Sequence, residues 1–298
     1  MMRDSYEKSQ YRIGMISILF CGFLWGLLPI YWDALKPINS FTIIIYRIVL
    51  MSIMCYIICC FTIGPIKVFK QMFASKKQLV IYLIAGILIT INWSTYIWAV
   101  NAGYVIQTCM GYFIEPLMVC VSGKIFFNEK LNKFKRIAIG FALVGLTIMI
   151  IGYREMPVIA LGLALSFASY AAIKKTYKLP VMQALFYETA ILVPIALIVI
   201  LHAEFTGTGL AGNIETKKII LLSLCGILTA APMGLFSFAT SKLPLVTLGL
   251  TEYLSPSISL LLGIYYFKEA FDVIQFSAFV SIWIGLAFFS YGEYKDYR

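Results

Sequence analysis

Charged side chains are scarce in this sequence: of 298 residues only 13% are Asp, Glu, Lys or Arg, while 61% are hydrophobic and the mean hydropathy is +0.89. A soluble domain carries about twice that share of charge, so a soluble globular fold is excluded. Histidine is scarcer still. His202 is the single one, which leaves no HExxH pair, no cysteine–histidine zinc cluster and no imidazole beside a serine or cysteine nucleophile. The GxxxxGK[ST] phosphate loop is absent, so ATP hydrolysis has no cradle here. No metal and no cofactor are expected. Long polar segments are missing too, and none of the separators between apolar runs is long enough to fold as a domain of its own.

What the sequence does contain is apolar runs of membrane-spanning length. At about 20 residues per crossing of a hydrocarbon core about 30 Å thick, ten spans fit, near 12–32, 41–63, 79–101, 104–126, 134–152, 156–173, 181–202, 218–240, 245–267 and 274–292. Barrel strands would be about ten residues long with strict alternation, and that alternation is absent. The first span follows a short basic segment but is too long for a signal peptide, carries Pro29 and ends in "IYWDALK" without a cleavage site, so it is expected to stay as a helix. The seven cysteines fall inside the spans, where thiols pack as small apolar groups, and neither disulfides nor a metal cluster is expected.

Counting loops alternately from the N-terminus, one side holds 18 basic residues and the other holds five, Lys36, Arg154, Lys217, Lys218 and Lys268, with Arg47 inside a span. The positive-inside rule therefore puts both termini in the cytoplasm of a multi-pass protein of the cell membrane. The formal charge of +10 is accounted for by this topology and by anionic lipid head groups, not by nucleic acid.

An internal repeat organises the chain. A shift of 140 residues places Pro116 on Pro256, Gly123 on Gly263, Phe127 on Phe267 and Glu129 on Glu269, and pairs Gly22 with Gly162, Gly86 with Gly226, Gly145 with Gly285 and Gly152 with Gly292. Each half has five spans. An odd number forces the second half to be inverted, so the expected architecture is all-α, ten transmembrane helices as two inverted five-helix repeats, residues 1–152 and 153–298. Folds of this kind are characteristic of secondary transporters, which hold the solute near the midplane between the halves.

The stretches "LWGLLPIYWDALKP" at 24–37, "NWSTYIWAVNAG" at 92–103, "GYFIEPL" at 111–117, "ALGLALSFASYAAIKK" at 160–175 and "TLGLTEYLSP" at 247–256 resemble the RarD group of EamA-type permeases, in the drug/metabolite transporter superfamily. The resemblance covers nearly the whole chain and implies a ten-helix permease without naming its solute. Arg47 in "YRIVLMS" and Glu188 in "YETAILVP" match the family's arginine and glutamate. Two positions depart from the pattern: Glu115 stands where the family usually has asparagine, and Glu252 where it tends to have glutamine.

A charge near the bilayer centre costs about 2.5 to 3.5 kcal/mol on insertion scales, so each intramembrane ion must face the bundle interior. For Arg47 and Glu188 a structural ion pair and a solute role both stay open. Glu115 and Glu252 are read as solute or proton sites. Tyr112 and Glu115 are three apart, as are Glu252 and Ser255, so each pair shares a helix face, and the 140-residue shift places Tyr112 on Glu252 and Glu115 on Ser255. Pro116 and Pro256 are expected to break their helices and free a carbonyl. Trp93 and Tyr96, with Tyr253, supply ring faces for an organic cation, packing being the alternative for each. Tyr31 and Trp32 are read as an interfacial belt. One positive and three negative intramembrane charges, Arg47 against Glu115, Glu188 and Glu252, sum to −2 and call for a cationic or zwitterionic solute, protons, or both. The expected partners are thus a small-molecule solute, protons and membrane lipid. A passive channel, a membrane enzyme and a scaffold are the competing classes.

Overall fold

A computed structural model describes residues 2–101, 105–154, 158–268 and 272–297. The helices run in order α1 (Met2–Ala34), α2 (Ser40–Thr62), α3 (Pro65–Met72), α4 (Lys76–Asn101), α5 (Val105–Phe127), α6 (Lys133–Tyr153), α7 (Val158–Lys175), α8 (Val181–Ala190), α9 (Val193–Phe205), α10 (Thr216–Ser223), α11 (Cys225–Lys242), α12 (Leu245–Glu252), α13 (Leu254–Leu262) and α14 (Val273–Tyr297), with one π-helical turn at Gly263–Phe267. Nine helical stretches among the described residues are long and apolar enough to cross a membrane, and α8 with α9, bent by 51° between them, supplies the tenth. Side chains such as Ile16, Phe61, Ile195 and Phe205 stay more than half exposed because their solvent is lipid, so burial inside the protein is not what makes these helices form.

Local chemistry sets the ends. Asn39 caps α2 by accepting from the Phe41 N–H at 2.8 Å, and Asn132 caps α6 through the Lys135 N–H at 2.8 Å. Pro65 opens α3 after Gly64, whose φ of 103° suits glycine. Interruptions gather in the second half. Pro194 opens α9 at the bend, α10 gives way to α11 at Leu224, and α12 gives way to α13 at Tyr253 just before Pro256. In the first half α5 runs through Pro116 without a break, which corrects the expectation there. A proline removes one hydrogen bond, and a membrane helix tolerates that loss when neighbours hold it in line.

The helices that cross the centre pack on their own counterparts. A side chain at Gly145 would meet Ala278 O at 2.9 Å, and one at Gly285 would meet Ala138 O at 3.0 Å. Ala138 and Ala278 are themselves one repeat apart. Gly152 lies against Ile274 and Gly292 against Phe134. Contacts therefore descend α14 as they climb α6, so these two helices are antiparallel and the second half is inverted relative to the first. The same holds for α5 and α12, where Cys120 Sγ lies 3.4 Å from Val246 O and the Tyr253 hydroxyl donates to Phe113 O at 2.7 Å. Tyr253 and Phe113 are 140 residues apart, as are Ser281 and Phe141, which share another hydrogen bond of 2.7 Å. Residues one repeat apart touch only close to a pseudo-two-fold axis, so the axis passes between these helices.

The turns divide between two faces. The start of α1 and the end of α14 meet through Tyr11 and Glu293, and Lys135 of α6 pairs with Glu293 at 3.1 Å. Lys175, at the end of α7, donates to the Leu243 carbonyl after α11. On the opposite face Lys218 donates to Ala34 O at 2.6 Å, and Tyr153 pairs with Asp272. The Glu269 turn lies outside the described residues.

Candidate functional site

A cavity of about 530 Å³ enters the bundle beside the α1–α2 turn and reaches Glu115, Pro116, Glu252 and Pro256. Both halves build it: α1, α2, α4 and α5 from the first, α7 and α11 to α13 with the π-turn from the second. At its rim Asp33 and Lys36 form an exposed ion pair of 2.8 Å.

Arg47 projects from α2 into this space. Its guanidinium carbon lies 3.7 Å from the centroid of the Trp93 ring and 5.5 Å from that of Trp32, a cation held between two π-faces. Its Nε is buried without a hydrogen-bond partner. Trp32 thus belongs to the cavity wall, which corrects its reading as part of an interfacial belt. Tyr96 and Tyr112 pack ring to ring at 5.9 Å on the same wall.

The two unusual acids converge. Glu115 is half-buried on α5 and has the Asn92 carboxamide beside it. Asn92 is positioned by donating to Leu163 O at 2.9 Å and to the Ser166 hydroxyl at 3.3 Å, across the α4–α7 contact. Glu252, the last residue of α12, is only 6% exposed, and neither of its carboxyl oxygens has a hydrogen-bond partner. Leaving a buried charged group unpaired costs several kcal/mol, and this one lines an open cavity. The two carboxyl groups sit within electrostatic reach of each other.

Not every expected residue joins them. Ser255, Pro256 and Pro116 line the cavity, but Tyr253 does not. It is 2% exposed and packs in the core around the axis with its hydroxyl on Phe113 O. Adjacent residues on a helix point about 100° apart, so Glu252 facing the cavity turns Tyr253 away from it. Glu188 is also elsewhere. It is buried among α2, α7 and α8, where its carboxylate accepts from Lys174 Nζ at 2.7 Å and from the Tyr170 hydroxyl at 3.1 Å. Arg47 and Glu188 therefore have separate surroundings. Because Lys174 neutralises Glu188, the cavity holds Arg47 against two acids, and the expected interior charge of −2 becomes −1 when both acids are ionised. Lys174 was missed because "KKTYKLP" reads as a basic loop; the lysine stands in the last turn of α7 and points inward. Trp25 and Asn92 also line the cavity; both stand in stretches that carry the family resemblance, at 24–37 and 92–103, and that is the signal that points to them.

The sequence profile of the EamA-like transporter family matches this chain twice, over residues 12–151 and 156–291. An uncharacterized transporter of Bacillus subtilis strain 168, YojE, is 33% identical, with 97% of each chain aligned. The protein RarD of Streptomyces exfoliatus is 30% identical over 98% of this chain and 92% of that one. Its namesake in Escherichia coli K12 is 28% identical over 95% of both. A solved crystal structure, 16% identical, superposes with a TM-score of 0.68 over 94% of this chain and 96% of the other, a likeness of fold alone.

Proposed function

The chain belongs to the EamA-like transporter family as a RarD-type permease, a multi-pass membrane transporter, and from that premise we propose that it is a secondary active transporter. It carries a small organic cation or zwitterion by alternating access, coupled to protons, through the cytoplasmic membrane with both termini inside. The two units that rock against each other are residues 1–152 and 153–298, and the solute sits between them.

The observation that carries this reading is the carboxyl group of Glu252, buried on the cavity wall with both oxygens unpartnered. Such a group is relieved by a proton or by a cationic solute, and a carboxyl that exchanges one for the other couples their movements with no further machinery. With Glu188 already paired, a single positive charge, proton or ammonium, balances Glu115 and Glu252 against Arg47. The rings of Trp93, Tyr96 and Tyr112 give an organic cation its apolar and π contacts, while Arg47 offers a pole for an anionic group on the same solute.

The test is thermal stabilisation of the purified protein by panels of amines, zwitterions and carboxylates, followed by uptake of the best solute into proteoliposomes under a pH gradient. Amines or zwitterions are expected to stabilise the protein, and Glu252→Gln is expected to reduce gradient-driven uptake at least ten-fold while the protein folds. Stabilisation by carboxylates alone, or unaltered pH dependence in Glu252→Gln, would overturn the proposal. Uptake indifferent to the gradient would make the protein a passive facilitator.

A further inference from the structure

The helix that ends at Glu252 begins at Leu245, and its first turn is held by a side chain from the other half. Glu129, in the α5–α6 turn, accepts the Leu245 N–H at 2.7 Å and the Val246 N–H at 2.8 Å, one on each carboxylate oxygen. The turn is shaped for this. Asn128 takes the left-handed conformation at φ 50°, the Glu129 N–H donates to Gly123 O at 3.2 Å, and a side chain on Gly123 would lie 2.6 Å from Glu129 Oε2. A third segment joins through Lys175, whose Nζ is 3.8 Å from Glu129 and also reaches the carbonyls of Thr240 and Leu243. Beside it, Lys135 Nζ donates to the Thr247 hydroxyl at 2.8 Å. One carboxylate thus ties together the α5–α6 turn, the end of α7 and the α11–α12 junction, at the end of the bundle opposite the cavity mouth.

A helix cap needs only one or two hydrogen bonds from its own neighbourhood. This one spans the interface between the halves, and α12 is only two turns long, so what holds its first turn also fixes where Glu252 stands. We propose that Glu129 is a latch: it keeps the end opposite the cavity closed, acts on the solute through α12 as a positioning residue, and must let go of Leu245 and Val246 when that end opens. The inference rests on the transporter reading in one respect, that this end opens during the cycle.

Cys120 is a native reporter. It is 3% exposed directly below the latch, with its Sγ 3.4 Å from Val246 O. In a chain whose other six cysteines are replaced, the rate at which a small maleimide labels Cys120 in the purified, folded protein measures opening of this end without any solute. Glu129→Gln is expected to raise that rate at least ten-fold, and Lys175→Met, which leaves the cap in place, about three-fold, on the scale of one lost long ion pair. Should Glu129→Gln fail to fold, Lys175→Met decides alone. If Glu129→Gln lowers thermal stability while Cys120 labels at the parent rate, Glu129 is a structural cap and the proposal is overturned. It is equally overturned if neither variant changes labelling. Faster labelling in a protein that moves no solute sinks the transport reading and leaves the closure assignment standing; transport with unchanged labelling does the reverse.

Discussion

At the end of the bundle marked by the α1–α2 turn, ring faces surround open space that contains Arg47, Glu115 and Glu252. At the other end Glu129, Lys135, Lys175 and Glu293 fill the same kind of space with hydrogen bonds and ion pairs. Helices α5 and α12 reach from one end to the other beside one pseudo-two-fold axis, Glu115 and Glu252 lining the cavity and the α5–α6 turn meeting Leu245 and Val246 at the far end. The contrast lies in how carboxylates are partnered. Glu129, Glu188 and Glu293 each have a lysine within 4 Å, whereas Glu252 has no hydrogen-bond partner at all. The lysine-paired glutamates hold the protein together, and the unpartnered one on the cavity wall is left available to something that comes and goes.

The largest expected effect breaks the closed side of this comparison. Removing one member of the buried Lys174–Glu188 pair, by Glu188→Gln or Lys174→Met, leaves an uncompensated charge and is expected to cost about 3 to 5 kcal/mol. Thermal unfolding of each variant in detergent checks it, and the double variant should recover most of the loss. If both singles matched the parent, the pair would contribute nothing to the fold. Glu252→Gln should do the opposite, sparing stability while lowering transport as set out above.

A smaller effect tests the axis that both ends share. Gly145→Ala places a methyl group 2.9 Å from the Ala278 carbonyl and is expected to cost about 1 kcal/mol, whereas Gly140→Ala meets nothing within 4 Å and should be neutral. Equal unfolding midpoints for the two would mean that α6 and α14 are not packed as described. The smallest effect sharpens the open side. Trp93→Phe keeps a ring under Arg47 but offers an organic cation a weaker π-face, by about 0.5 to 1 kcal/mol. Apparent solute affinity should fall two- to five-fold, with any drop in the unfolding midpoint no larger than that of Gly145→Ala.

Much of the architecture was legible because the bilayer restricts the choices. Run length gave the ten spans, an odd number per half gave the inversion, and the offset that pairs Gly145 with Gly285 found a contact made twice across the axis. The interruptions were less legible. Pro194 and Pro256 stand beside two of them, but Leu224 carries no signal, and α5 passes straight through Pro116, since neighbours decide whether a proline bends a membrane helix. At the cavity, three-residue spacing brought Tyr112 with Glu115, and Glu252 with Ser255, to the same wall. It could not tell which acids find partners. Glu188 meets Lys174, a residue drawn inward from a string of basic residues that looks like loop, and no local pattern distinguishes a lysine that reaches lipid head groups from one that turns into the core.

A cavity that reaches Glu252 from one face has an electrical meaning as well. Were water to fill it, a high dielectric would extend from that face toward Glu252, and a membrane voltage would no longer fall evenly across about 30 Å of hydrocarbon. Most of it would fall across the sealed remainder, between Glu252 and the turn that bears Glu129. Each elementary charge crossing that short plug exchanges about 2.3 kcal/mol per 100 mV, so the thickness of the plug, more than that of the bilayer, sets the distance over which voltage does its work.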